Sequence, residues 1–373
     1  MLILWIIILF PLFIFFVTSL INIFAGPFLK RAPHESGPRV SVLVPARNEA
    51  ANIAGCIRSL AAQDYPDMEI IICDDCSTDN TAGIASQAAR GADNIRIIEG
   101  TEPQPGWTGK NHACHQLSQL ATGEILIFTD ADDRHATDAV SRTVGYMRKW
   151  DASLASAFPG MVMRSPAEKL VIPMIDMIIY SMFILWSARF VPWNIFAAAN
   201  GQWLAITREA YDTIGGHSGV RDFVVEDVAL ARRAKKAGLR ILTASGLDMV
   251  ESRMYTGWRD VWQGLSKNLF GLTNYNGPLF AMLLSALFIS CVIPFILIFF
   301  YPMNIYILIA IAANLLWRLG LAIRYGHNIF FAVLLHPVSI TLLIAIGINS
   351  WFLSRFRTVA WKDRNIHIRP GRI

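Results

Sequence analysis

Three aspartates close the stretch EILIFTDADD, residues 124–133: Asp130, Asp132 and Asp133 follow directly on an apolar run. A fold has no need of such a cluster, which costs stability through like-charge repulsion. A hard divalent cation relieves that cost. Carboxylates one residue apart at a strand end can turn towards one ion, and Mg²⁺ or Mn²⁺ takes oxygen ligands, commonly one or two carboxylates with phosphates. Asp130 and Asp132 are therefore read as metal ligands, and Asp133 as the N-cap of a following helix. Two more apolar runs end in polar clusters: PARNE (Pro45, Arg47, Asn48, Glu49) and DDCSTD (Asp74, Asp75, Ser77, Asp79, the last read as a helix cap). A separate acidic pair, Glu226 and Asp227, opens the amphipathic stretch EDVALARRAKKAG.

The elements that must position these groups are legible in the texture of the chain. From Arg39 to about residue 160, short apolar runs (VSVLVP, MEIIIC, NIRIIEG, EILIFT, ASLASAFPG) alternate with amphipathic segments such as EAANIAGCIRSLAAQ and KNHACHQLSQLA. This β-α-β-α pattern predicts an α/β fold: an open, mostly parallel sheet with helices on both faces. Ligands bind beyond the carboxyl ends of such strands, where the acidic clusters gather. Further on, EDVALARRAKKAG reads as a helix stopped by Gly238, and LRILTA as a strand.

The 373 residues are 54% hydrophobic and 16% charged, against about 25% charged in an average soluble protein. This composition points to a membrane protein. The net charge of +5 lies largely beside apolar segments, which suits anionic headgroups, and no nucleic-acid motif or partner is expected. Five scattered cysteines argue against a disulfide framework, and the lone CxxC reads as buried thiols. Residues 1–29 carry no charged side chain and read as a transmembrane helix; Lys30, Arg31 and Arg39 then put the N-terminus outside. Residues 38–275 form a cytosolic domain, within which 170–193 reads as an interfacial helix with Trp186 and Trp193 at headgroup level. Residues 278–353 have room for about three spans, and 354–373 form a basic tail. That tail should be cytosolic, yet three spans from a cytosolic start end outside. A re-entrant third segment, with His336 and Pro337, would reconcile the two. The expected location is the cell membrane, multi-pass.

In combination, VSVLVPARNEAANI, DDCSTDNT, TDADD and VVEDVALARRAKKAG resemble the family-2 glycosyltransferases, whose nucleotide-sugar-binding fold is called GT-A. The resemblance covers roughly residues 38–270. GWTGKNHACHQL, NGQWLAITREAYDTIGGH and WKDRN look like a narrower group, membrane-embedded enzymes that glycosylate lipids, such as carotenoid and hopanoid-associated glycosyltransferases. The resemblance implies a metal-dependent, inverting transfer from a nucleotide-sugar donor, UDP-linked, to a membrane lipid acceptor. It implies that Pro45, Arg47, Asn48 and Glu49 contact the nucleotide and that Asp75, with Asp74 beside it, reads the base. Lys110 falls near the donor diphosphate or sugar, and Asp130 and Asp132 hold the donor with its Mg²⁺ or Mn²⁺. Asp227 is the general base with Glu226 beside it, and Asn200, Gly201 and Gln202 form the acceptor wall; His217 reads as structural. The chain departs from the family where relatives carry QxxRW. Here Gln263 is followed by Ser266 and Lys267, and Lys267 offers the donor a point charge in place of a bidentate fork. That departure argues against a processive polysaccharide synthase. A polyprenyl-phosphate or polysaccharide acceptor is the rival within the same chemistry. A non-catalytic nucleotide-sugar or lipid-binding membrane protein is the rival of another class.

Overall fold

The computed structural model describes residues 2–30, 37–273, 275–356, 359–361 and 364–366. Arg31 and most of the basic tail lie outside them. The chain divides into two compact units. A sheet unit comprises Pro27–Val162 and Leu185–Met254; a helical unit comprises the residues before Pro27, Met163–Ile184 and those from Tyr255 onwards.

In chain order the elements are α1 (Leu2–Ala25), β1 (Val40–Ala46), α2 (Ile53–Ala61), β2 (Met68–Asp74), α3 (Thr81–Ala88), β3 (Ile95–Glu99), α4 (Gly109–Leu120) and β4 (Ile125–Phe128). Then follow β5 (Asp133–His135), α5 (Ala139–Lys149), β6 (Leu154–Met161), α6 (Pro166–Val171), α7 (Pro173–Met182), α8 (Ser187–Phe190), β7 (Leu204–Thr207), α9 (Arg208–Thr213), α10 (Glu226–Lys236) and β8 (Ile241–Ser252). As far as Phe356 the remainder is helical: α11 (Trp258–Asn268), α12 (Gly277–Cys291), α13 (Ile293–Leu297), α14 (Ile305–Tyr325) and α15 (His336–Phe356); Val359–Trp361 then pairs antiparallel with Arg364–Ile366.

The sheet has eight strands in the order β3-β2-β1-β4-β7-β6-β8-β5. Its first four strands are parallel, as the unbroken apolar runs predict. Strand side chains alternate between faces, so β1 sends Val40, Val42 and Val44 to one core, with Ile53, Ile57 and Leu60 of α2. Leu43 joins the other, with Ala113, Cys114 and Leu117 of α4. Both faces are thus covered, which is why these strands read as continuously apolar. The second half of the sheet is mixed: β7 runs antiparallel to β4 and β6, and β5 antiparallel to β8. A register shift at Pro159/Gly160 bends the β6–β8 pair.

Residues 170–193 do not form one helix. The backbone turns extended at Phe183 after α7, and the chain passes from the helical unit to the sheet unit. There Trp186 packs on Trp150 at 4.8 Å between ring centroids, whereas Trp193 stays 67% exposed.

Four helical stretches are long and apolar enough to cross a membrane: Trp5–Ala25, Gly277–Leu297, Ile305–Tyr325 and His336–Arg355. Their pairing gives directions. Trp5 stacks on Tyr306 and Phe15 on Trp317, so α1 and α14 run parallel. Gly326 then takes a left-handed conformation (φ 71°), which a glycine adopts without the Cβ penalty. The chain returns along α14: the His327 N–H donates to the Ala322 carbonyl, Arg318 Nε to the Ala332 carbonyl at 3.1 Å, and His336 Nε2 meets Asn314 Oδ1 at 3.1 Å. A π-helical turn at Phe330–Leu334 lies in this return. From His336, which faces Phe295, α15 runs antiparallel to α12 and α13. Its far end bonds back to α11, with Asn349 Nδ2 donating to Ser266 Oγ at 2.8 Å. The third C-terminal stretch is therefore a helical hairpin, in which residues 327–335 run back along α14 before α15 reverses direction.

Candidate active site

The polar segments that follow β1 and β2 are clasped together by side-chain and backbone donors. Arg47 Nη1 donates to the carbonyls of Asp75 (2.7 Å) and Cys76 (2.8 Å). Asn48, at φ 52°, donates its N–H to Ser77 Oγ and accepts from the Thr78 N–H at 2.8 Å. The Glu49 N–H donates to Thr81 Oγ1 at 2.8 Å, and the Ala50 N–H to Asp79 Oδ2 at 3.0 Å. Asp74 accepts from Ser77, and Asp75 is buried, 2% exposed. Pro45 sits opposite Cys73, one residue before the end of the β1 ladder. Thus the PARNE and DDCSTD loops form one rigid rim, and Asp79 ties the loops together while also accepting the Thr81 N–H at the start of α3.

At the end of β4, one carboxylate oxygen each from Asp130, Asp132 and Asp133 lies within 4.8 Å of the others. Asp130 and Asp132 are half-buried; Asp133 is fully buried. This all-oxygen donor set fits a hard cation such as Mg²⁺ or Mn²⁺ and contains no thiol or imidazole.

Asp133 departs from its reading as a helix cap. It opens β5, pairing with Ser252. Its carboxylate accepts from Gln202 Nε2 at 3.2 Å and from the Asp130 N–H at 3.3 Å. Burial, then the charges of Asp132 and Asp130, push its pKa well above the usual carboxylate range. Gln202 also donates to Ser252 Oγ, and its carbonyl accepts from Thr129 Oγ1 at 2.8 Å. Neither role was signalled by the sequence, because the partners are 69 residues apart.

On the facing side, α10 presents Glu226 and Asp227 in its first turn, where the helix dipole favours negative charge. Asp227 Oδ2 accepts the Gly201 N–H at 2.7 Å, and Oδ1 accepts the Val228 N–H at 2.7 Å. Burial and the neighbouring Glu226 nevertheless push its pKa up to about 7, against the opposing pull of Lys110. Lys110 joins the two sides: its Nζ lies 2.7 Å from Asp130 Oδ1 and 2.9 Å from Glu226 Oε1. A Cβ on Gly201 would stand 3.1 Å from that Nζ, 3.2 Å from Glu226 Oε1 and 3.6 Å from Asp227 Oδ2. Gly201 is therefore needed for close approach, not for an unusual φ.

Asp130, Lys110, Glu226, Asp227 and Gly201 thus share one cluster, with Asn200 and Gln202 flanking it. Asn200 Oδ1 accepts the Gln202 N–H at 2.8 Å. His217 is buried with its Nδ1 2.8 Å from Tyr211 Oη, and burial lowers its pKa to about 3, in keeping with a structural role. Lys267 lies on α11, in the helical unit.

A half-parallel, half-mixed sheet with acidic groups at its strand ends defines a GT-A transferase architecture. The protein-family model for glycosyl transferase family 2 matches residues 41–225. The chain is 27% identical over 282 residues to a 4,4'-diaponeurosporenoate glycosyltransferase of Staphylococcus haemolyticus, covering 72% of this chain and 71% of the other. It is 25% identical over 347 residues to the enzyme of that name in Staphylococcus aureus, covering 88% of each. Among solved structures, a Pyrobaculum calidifontis mannosyltransferase in complex with GDP-Man and Mn²⁺ shares the fold, with a TM-score of 0.55, 22% identity and coverage of 93% of this chain and 98% of that one. Residues 41–225 are thus a glycosyl transferase family 2 domain, and the protein is an enzyme.

Proposed function

We propose that the protein transfers one sugar from a nucleoside diphosphate donor, UDP-linked, to a carotenoid-type acceptor carried in the membrane. The observation that carries this reading is the single cluster in which Asp130 meets Lys110 and Lys110 meets Glu226, with Asp227 alongside. The acceptor class is supported by the names of the similar staphylococcal enzymes, and by four helices apolar enough for a membrane.

In this reading the PARNE and DDCSTD loops hold the nucleotide, with Asp75 and Asp74 towards its base. Asp130 and Asp132 hold a divalent cation, Mg²⁺ or Mn²⁺. When bound, that cation stabilises negative charge on the leaving diphosphate. Asp227 stands on the other side of the cluster and accepts the proton of an attacking hydroxyl. Two backbone N–H bonds fix its carboxylate, while the remaining lone pairs stay available. Attack from the side opposite the leaving group inverts the anomeric centre. Asn200 and Gly201 line the acceptor side, with Gln202 buried behind them and holding Asp133. The sheet unit faces the cytosol of a multi-pass protein of the cell membrane.

The test is membranes containing the full chain, incubated with labelled nucleotide sugars and extracted for lipids. Wild type is expected to yield a lipid carrying one sugar. Asp132→Ala and Asp227→Asn are expected to lower the yield at least about 100-fold with unchanged thermal unfolding. Full turnover in both variants would overturn the assignment. A ladder of sugars by mass spectrometry would instead indicate polymer synthesis, and donor left intact by wild type would indicate a binding protein.

A further inference from the structure

Lys110 has a fixed base and a movable tip. Thr108 caps α4 by accepting the Asn111 N–H. Asn111 Nδ2 in turn donates to the carbonyls of Val220 (2.8 Å) and Phe223 (2.9 Å), pinning the start of the helix to the loop before α10. The lysine stem, by contrast, is a flexible four-carbon chain ending in a point charge. Its ammonium lies beside Gly201, where a Cβ would stand 3.1 Å from it. Its partners are Asp130, a carboxylate at the end of the sheet, and Glu226, at the start of α10.

An ammonium and a divalent cation cannot share one carboxylate without repulsion. A nucleoside diphosphate, however, brings phosphate oxygens that attract an ammonium as strongly as a carboxylate does. We propose that Lys110 and the divalent cation exchange places on Asp130: the ammonium transfers to the diphosphate as the donor arrives, and Asp130 is released to the cation. This inference rests on Asp130 and Asp132 being cation ligands, as assigned above. It makes Lys110 the residue that links donor binding to cation binding. Donor and cation then load together, and a cation alone is held weakly.

The experiment measures Mn²⁺ binding by electron paramagnetic resonance, and metal-free UDP binding by calorimetry, on the detergent-purified full chain. Removing the charge in Lys110→Met should tighten Mn²⁺ binding at least about fivefold, since a competing cation has gone. It should weaken metal-free UDP binding by a similar factor, since a phosphate partner has gone. Lys110→Arg keeps a positive charge and should stay near wild type for both ligands. A lysine that merely supports the fold would move both affinities the same way. Mn²⁺ binding unchanged or weakened in Lys110→Met overturns the exchange. Asp132→Ala separates the two readings: Mn²⁺ binding that survives this substitution sinks the cation assignment itself, whereas its loss beside an unaltered Lys110→Met sinks only the exchange.

Discussion

At the scale of the residue, Asp227 is the base of the proposed reaction, and its titration sets the pH dependence that the proposal predicts. Its pKa is pushed up to about 7 by burial and by Glu226. The ionised form is the base, so turnover on a hydroxyl acceptor should fall about tenfold per pH unit below that value and level off above it. A carboxylate acceptor has no proton to lose and is repelled by ionised Asp227, so its turnover should fall as pH rises through the same range. Plots of kcat/KM against pH for an alcohol and an acid acceptor give opposite slopes if Asp227 is the titrating group. Gly201 gives a second prediction. A methyl there must push the tip of Lys110 by a few tenths of an ångström, which a flexible side chain absorbs at little cost to folding. Gly201→Ala should therefore keep its unfolding temperature and lose about tenfold or more in turnover, because a small misplacement of reacting groups is costly. The positions of Asp130 and Asp132 beyond a strand end, and of Asp227 in the first turn of a helix, were legible in the sequence, because an apolar run precedes the first two and an amphipathic one follows the third. Asp133 was misread as a cap. Its actual partner, Gln202, is brought near only by the antiparallel half of the sheet.

At the scale of the element, the apolar runs marked β1, β2, β3, β4, β6 and β8, and the clearest of them, β1, β2 and β4, are buried on both faces by neighbouring helices. The short β5 and β7, three and four residues long, give no local signal. Their register is set by β8 and β4, far away in the chain. These two strands nonetheless connect the halves of the site. From Asp130, the path runs through Asp133 to Gln202, then along the backbone to Gly201 and by its N–H to Asp227. Gln202→Leu removes the amide that satisfies buried Asp133 and Ser252. It should cost about 1–3 kcal/mol, seen as a drop of several degrees in thermal unfolding. It should also depress turnover in reactions where donor and acceptor are both saturating.

At the scale of the whole molecule, composition announced the membrane segments, but the count of crossings was ambiguous. A basic tail and three apolar C-terminal stretches gave incompatible orientations. The bonds from His327 to Ala322, Arg318 to Ala332 and His336 to Asn314 lay residues 327–336 back along α14, an arrangement that favours the re-entrant alternative. The end of α15 therefore lies at the same end of the bundle as α11. A protease-cleavable tag ahead of Met1 and another after Ile373 should be cut from opposite faces of sealed vesicles. Cleavage of both from one face would contradict the hairpin.

That hairpin bears on how the polypeptide is made. The nine residues 327–335 are under half the length needed to traverse a bilayer. In the proposed orientation the insertion machinery would handle an odd number of complete passages, and a nascent chain started in the wrong direction would leave the whole sheet unit on the face away from the proposed donor.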